Sequence, residues 1–388
     1  MRKKATSLLA LVLVCLGIAA YAQNGLIDIK KLQDRQYYPT SIYNLSFIGT
    51  SDNYAYTKTG GELFVSDGKA EKELLKLSDL NGELSSFAGI QFVSNDEFAF
   101  VSRKSHAIFR YNIKNKQLKK ICELKENAEN LEADLKNGCA AYTIDGNVWY
   151  SCPDKSPVQL TKDGGKGITY GVAVHRNEFG IEKGFFLSED GKKLAFYRMD
   201  ETMVKEYPIV NTDAREAEPT PIRYPMAGMK SHEVTIFVYD SQTGKTVELQ
   251  TRENNSIEEK EAYLTNLTWN PEGTQLYVQK LNRKQNHLKM NAYDVAGGKL
   301  RKTLFEEKAA KYVEPESPVF FLPKQSNRFI YLSERDGFNH AYLYDVDGNM
   351  IEQLTSGEWM INSIEGFNDK GNEVYFYATK DSPLEQNL

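Results

Sequence analysis

The sequence predicts an all-β chain built as a β-propeller. Three observations predict it. Apolar residues alternate at period two in short blocks, as strands require. The blocks return as a unit with a basic period of roughly 40–45 residues, the length of a propeller blade. Tight-turn pairs such as Asp-Gly, Gly-Gly and Thr-Gly, which supply positive φ, sit between the blocks. Composition agrees, with 23 Tyr and 19 Phe against 12 Pro in 388 residues. Hydrophobic residues at 41% and charged residues at 26% suit a folded chain rather than a disordered one. The formal net charge of −5, from 48 basic and 53 acidic residues, argues against a nucleic-acid binder.

Residues 1–22 read as an export signal. Arg2, Lys3 and Lys4 form a basic start, Leu8 to Ala19 is almost wholly apolar, and Ala20-Tyr21-Ala22 gives the small-x-small cleavage pattern. A lipoprotein reading would use Cys15, but Val14 precedes it where a small residue is wanted. Removing the three basic residues takes the charge from −5 to −8. The apolar core is short for a membrane span, and no later apolar run approaches the length of one. The mature chain, 23–388, is therefore expected to be exported and to have no transmembrane segment.

The repeating units follow in order. Tyr54-Ala55-Tyr56-Thr57, Leu63-Phe64-Val65 and Leu74-Leu75-Lys76-Leu77 make the first, turning at Ser66-Asp67-Gly68-Lys69. Phe98-Ala99-Phe100-Val101 opens the second and Ala140-Ala141-Tyr142-Thr143 the third. Leu194-Ala195-Phe196-Tyr197 opens the fourth, which resumes at Thr235-Ile236-Phe237-Val238-Tyr239. Leu276-Tyr277-Val278, Phe329-Ile330-Tyr331-Leu332 and Val374-Tyr375-Phe376-Tyr377 open the fifth, sixth and seventh. About seven blades are expected, the last incomplete, with an inserted loop at about 199–233 containing Pro208, Pro219, Pro221 and Pro225. Long insertions in repeat proteins emerge on one face, often the working face. A stacked pair of sandwiches fits the alternation less well, and a helical solenoid does not fit it.

Chemistry-bearing motifs are sparse. There is no G-x-S-x-G, H-E-x-x-H or P-loop. Gly164-Gly165-Lys166-Gly167 lacks dinucleotide-binding spacing and reads as a loop; Asp345-Val346-Asp347-Gly348-Asn349 reads as a hairpin turn rather than a calcium loop. The five histidines, at 106, 175, 232, 287 and 340, are scattered. No cofactor and no metal is expected. Beyond the signal three cysteines remain, Cys122, Cys139 and Cys152, so at least one is free. Cys139 and Cys152 flank a hairpin, and spacing alone leaves their pairing open.

One stretch is chemically dense: Val174-His175-Arg176-Asn177-Glu178-Phe179-Gly180-Ile181-Glu182-Lys183-Gly184. A carboxylate on such a loop can capture a cationic amino group by a charge-assisted hydrogen bond. A solvated cluster, or a local ion pair with Arg176 or Lys183, explains the same residues.

At these residues the chain resembles the propeller of secreted bacterial prolyl oligopeptidases of the dipeptidyl peptidase IV family. The run His175 to Gly184 carries the resemblance, with Leu194-Ala195-Phe196-Tyr197-Arg198-Met199-Asp200-Glu201-Thr202-Met203-Val204 and Tyr224-Pro225-Met226-Ala227-Gly228 before Ser231-His232. Tyr312-Val313-Glu314-Pro315 and Arg335-Asp336-Gly337-Phe338-Asn339-His340 extend it. It is strong from about residue 160 onward, weak before about residue 130, and nearest to prolyl tripeptidyl aminopeptidases. The resemblance implies an eight-bladed propeller and a C-terminal α/β-hydrolase domain bearing Ser, Asp and His, which forms an acyl-enzyme. That domain is not among these 388 residues, so the chain alone is expected to hydrolyse nothing. A fragment of a longer polypeptide explains this better than a stand-alone propeller, because the sequence stops inside a repeat. The resemblance further implies peptide substrates with a free amino terminus and proline, and a homodimer in the full-length form. Dipeptidyl members hold the amino end with two neighbouring glutamates. Here only Glu178 aligns, beside Arg176 and Asn177, which favours the tripeptidyl type. A non-catalytic peptide- or glycan-binding propeller of the cell envelope is the alternative. A propeller hydrolase with its own active site is disfavoured by the missing nucleophile and metal motifs.

Overall fold

The computed structural model describes residues 27–388 except 35, 38–40, 59–60 and 369. The expected signal peptide lies outside the described residues. Among them, no helix is long and apolar enough to cross a membrane.

The strands form successive antiparallel blades. Four-stranded sheets span Tyr43–Lys76, Gln91–Glu123 and Glu129–Gln159, each joined by short turns in simple meander order. The fourth blade, Ile168–Glu248, has five strands, and the next two, Tyr263–Lys308 and Phe320–Gln353, have four. Ile361–Phe367 and Val374–Ala378 make a two-stranded seventh. The seven strands that the repeat spacing located are the second strands of these blades. The apolar run at Val374 therefore does not open the seventh blade but follows its first strand.

Packing explains why the second strands read as nearly continuous apolar runs. In blades two to six each lies in a sheet sandwiched between two neighbours, so both faces are buried, whereas Tyr375 and Tyr377 of the last are exposed. Phe98 and Phe100 pack toward blade one with Ala55, Leu63 and Val65, while Ala99 between them faces Ala140 and Tyr142 of blade three. Leu194 and Phe196 pack on Val148 and Tyr150 of blade three; Ala195 and Tyr197 pack on Leu276 and Val278 of blade five. Tyr277 joins Phe329 and Tyr331 of blade six, and Ile330 and Leu332 turn to Ile361 of blade seven. Each consecutive pair of blades thus shares one apolar cluster. Fully burying one such side chain contributes about 1.5–3 kcal/mol. Hydrogen bonds tie blade to blade as well: Tyr150 Oη donates to Gly191 O at 2.6 Å, and Tyr197 Oη to Leu264 O at 2.8 Å.

Parts of the first strands and the residues beside them face a shared space. Gln91, Glu132–Asp134, Phe186–Glu189, Asn266–Trp269 and Pro318–Val319, from blades two to six, line one cavity of about 650 Å³. Trp269 Nε1 bridges two of these walls, donating to Phe186 O at 3.0 Å.

The insertion in blade four is more ordered than the expected loop. Glu206–Asn211 and Glu218–Arg223 pair as a two-stranded arm, with Pro208 opposite Pro221. The Asp345 turn is a hairpin turn, its carboxylate accepting from the backbone N–H of Asp347 at 3.0 Å and Asn349 at 2.8 Å. Cys122, Cys139 and Cys152 are free thiols. The Ala140–Ser151 pairing puts Cys139 and Cys152 at facing positions across their hairpin. Burial pushes the Cys139 thiol up to about 11 and the Cys122 thiol to about 12.

Candidate functional site

The dense stretch forms a loop because the innermost edge of blade four is interrupted. Ile168–Tyr170 and Phe185–Leu187 both pair with Lys193–Asp200, and residues 171–184 bulge out between them. The neck is pinched by two glycines. Gly171 N–H donates to Tyr197 O at 3.0 Å, and Tyr197 N–H to Gly184 O at 3.1 Å. A Cβ on Gly184 would lie 2.3 Å from the Gly171 carbonyl carbon, so only glycine fits.

Within the loop His175, Arg176, Asn177 and Phe179 all take positive φ, between 52° and 62°. Non-glycine residues in the left-handed region each cost roughly 1–2 kcal/mol, and such strain gathers at functional sites. Anchors on both sides hold it. Val174 and Ile181 are buried in the cluster between blades four and five. Phe179 meets the Tyr263 ring edge-on at 4.9 Å. Asn266 Nδ2 donates to Phe179 O at 3.0 Å and to Pro315 O at 2.5 Å, joining this loop to the Tyr312-Val313-Glu314-Pro315 stretch. Gly180 lies so close to that stretch that a Cβ would sit 2.0 Å from Glu316 O.

The loop closes a pocket of about 210 Å³ with His175, Arg176, Glu178, Tyr224, His232, Tyr263 and Arg283 on its walls. Arg176 stacks over Tyr224 at 5.0 Å, donates to Arg223 O, and lies 3.9 Å from Glu201. Burial raises the Glu201 carboxyl, and the Arg176 and Arg223 guanidiniums pull it back down. Arg283 donates to Tyr263 Oη and lies 3.8 Å from Glu261, whose other oxygen accepts from Ser231 N–H at 3.0 Å.

Glu178 differs from these neighbours. It is exposed on the pocket wall, and among the described residues its carboxylate has neither an ion pair nor a hydrogen bond. Neither Arg176 nor Lys183 satisfies it: Arg176 faces Glu201, and Lys183 faces Glu132. Asn177 is exposed beside it, its backbone N–H donating to Val174 O at 3.1 Å.

Two histidines that look scattered in the sequence meet beneath this loop. His175 Nδ1 and His232 Nε2 are 3.1 Å apart, and Leu264 N–H donates to His175 Nε2 at 3.2 Å. Burial holds His175 well below the ordinary histidine range and pulls His232 down to about 4, with Arg283 opposing protonation of both. The pair is therefore neutral at pH 7. Arg283, Tyr263 and Gln285 also escaped sequence reading; no local spacing links residues 175, 232 and 283. The stretch from Arg335 to His340 proves structural. Arg335 lies 4.4 Å over the Tyr342 ring and bonds Glu307 at 3.1 Å. His340 is fully buried between Thr355 Oγ1 and Gly357 O, each at 2.9 Å. Among the described residues no cluster of His, Cys, Asp and Glu could hold a metal ion.

The profile of the dipeptidyl peptidase IV (DPP IV) N-terminal region matches residues 90–388. The chain belongs to this family. Its relatives include the probable dipeptidyl-aminopeptidase B of Talaromyces marneffei, 28% identical over 280 residues, which cover 65% of this chain and 31% of that one. The corresponding protein of Phaeosphaeria nodorum is 28% identical over 279 residues, covering 65% and 30%. A solved Bacteroides ovatus structure, assigned as a dipeptidyl aminopeptidase IV, superposes with a TM-score of 0.76 at 34% identity, covering 88% of this chain and 51% of its own. Porphyromonas gingivalis dipeptidyl peptidase 4 superposes with a TM-score of 0.71 at 22% identity, covering 93% and 53%, a likeness of fold. The chain thus spans about half the length of these solved structures and three-tenths of these curated relatives.

Proposed function

We propose that this DPP IV-type propeller is the substrate-gating part of an exported serine exopeptidase acting after proline, and that Glu178 anchors the free amino terminus of the peptide. The observation that carries this reading is the unpaired, exposed Glu178 carboxylate in a pocket where both guanidiniums already face carboxylates. A substrate ammonium is the charge that completes it. Such an anchor acts as a ruler: it fixes how far the scissile bond lies from the amino end. A single glutamate in the Arg176-Asn177-Glu178 segment favours tripeptidyl over dipeptidyl release. The Ser-Asp-His machinery would belong to an α/β-hydrolase domain outside these residues, and the site of action would be the periplasm or cell surface of a bacterium. Homodimerisation of the full-length form belongs to the same reading.

The test is an exopeptidase assay on the product of the whole reading frame beside the 388-residue chain. Substrates are Ala-Ala-Pro and Gly-Pro chromogenic amides, free and amino-blocked. The proposal expects cleavage by the longer product only, of Ala-Ala-Pro, and only with a free amine. A folded product that cleaves none of them would instead support the peptide- or glycan-binding alternative.

A further inference from the structure

Two of the three cysteines in 23–388 face each other across the Asp145-Gly146 hairpin of blade three. The pairing of Ala140 with Ser151 places Cys139 opposite Cys152, one step further from the turn. Val148 fixes which kind of pair this is. Its N–H donates to Thr161 Oγ1 at 2.9 Å and its carbonyl accepts from Leu160 N–H at 2.8 Å, so its backbone polar groups point away from Thr143. The two kinds of pair alternate along an antiparallel ladder, so Tyr150 and Cys152 also belong to non-hydrogen-bonded pairs. In such pairs the Cα atoms lie about 4.5 Å apart and the side chains stand close together on one face. A disulfide needs a Cα separation of roughly 4.4–6.8 Å. Both cysteines pack on the face toward blade four, with Val148, Tyr150 and Phe196. Cys122 packs on the opposite face, against Ala140 and Tyr142, so the sheet of blade three stands between it and the pair.

We propose that Cys139 and Cys152 are a modification site: an oxidant of the disulfide class joins them into an intrachain disulfide that closes the hairpin of blade three, while Cys122 stays a thiol. Cys152 is the point of entry, because it is half-buried where Cys139 is only 6% exposed. Burial pushes the Cys152 thiol up, and Lys155 pulls it back down. The Cys152 thiolate attacks the S–S bond of the oxidant, forming a mixed disulfide and releasing one half of the oxidant as a thiolate. Cys139 then gives up its proton and attacks the Cys152 sulfur, forming the Sγ–Sγ bond and expelling the second half as a thiolate. Two protein thiols are oxidised and one disulfide is reduced to two thiols, whose sulfurs take up the two protons that the cysteines lose. An exported chain, as proposed above, meets such oxidants, and glutathione disulfide stands in for them in vitro. The bond lies at a seam between blades. A Cβ on Gly191 of blade four would sit 3.1 Å from Cys139 Sγ, and Tyr150 Oη donates to Gly191 O. Closing the hairpin also restricts the unfolded chain, which favours the folded state.

Peptide mapping tests this. Between Lys136 and Lys155 there is no lysine or arginine, so trypsin releases Cys139 and Cys152 in one peptide, 137–155, and Cys122 in another, 121–125. The chain 23–388 is treated with glutathione disulfide, once in its native state and once while refolding from urea, where burial of Cys139 cannot limit access. It is then denatured, alkylated with iodoacetamide and digested. Peptide 137–155 is expected without alkylation and lighter by two hydrogens than its reduced form, and peptide 121–125 fully alkylated. The oxidised wild type should also unfold at a higher urea concentration than the reduced form, whereas the midpoint of Cys152→Ser should not move with reductant. Full alkylation of both peptides after refolding in the oxidant, or a link between 121–125 and 137–155, would overturn the inference. So would a reductant-dependent shift in Cys152→Ser equal to that of wild type.

Discussion

His175 and His232 couple the site to pH through their burial. Both have folded-state values below the ordinary 6.5, so the unfolded chain binds their protons more readily. Their contribution is complete above pH 6.5 and is lost as pH falls toward about 4, the value of His232. For His232 the loss is on the order of 3 kcal/mol. Urea midpoints followed from pH 7 to 4.5 should fall in wild type, and fall less steeply in His232→Gln. A second prediction concerns Gly184. An alanine there would drive its Cβ into the Gly171 backbone, at an expected cost of about 1–3 kcal/mol. A lower denaturation midpoint at unchanged slope would verify it. At this scale the sequence was partly legible. Glu178 stood out as a carboxylate in a dense loop, but its lack of a partner depends on where Arg176 and Lys183 point. The meeting of His175 with His232 depends on the inserted arm ending beside the loop, which no local spacing encodes.

Elements were legible where both faces are buried. Phe98-Ala99-Phe100 and Leu194-Ala195-Phe196-Tyr197 are apolar on every residue because a blade lies on each side. A first strand such as Glu129–Asp134 was missed for the opposite reason: it is largely exposed or half-buried and polar, with Glu132, Ala133 and Asp134 lining the shared cavity. The arm was missed because Pro208, Pro219 and Pro221 argue against strands. A two-stranded arm consists of edges only, where proline needs no ladder partner. Both arm strands are exposed along nearly their whole length and contribute nothing to the interblade clusters. Limited trypsinolysis of the native protein should therefore cut early at Arg215, in the turn of the arm, with the propeller's thermal midpoint nearly unchanged in the nicked product. A large fall in the midpoint on nicking would show that the arm supports the blades. Arg176, which joins the loop to Arg223 O, Glu201 and Tyr224, is the contact through which the arm would be felt at the pocket.

For the whole molecule, the repeat arrangement distributes stability over blade-to-blade interfaces and leaves the loops free to carry strain. Four left-handed non-glycine residues persist in the Glu178 loop because Val174 and Ile181 are buried between blades four and five, and Asn266 and Tyr263 of blade five hold Phe179. The blade period, readable from turns and alternation alone, was enough to define the scaffold. The chemistry was not, because the pocket joins residues 175–178 to 224–232 and 263–285 across blades four and five. We propose that this pocket recognises a free amino terminus through Glu178. Its most direct test is the affinity of the chain for Ala-Ala-Pro and for its N-acetyl form, in wild type and in Glu178→Gln. Acetylation and the substitution should each weaken binding about ten- to a hundredfold, and together do little more than either alone. Equal affinity for the free and acetylated peptides in the wild-type chain would contradict it.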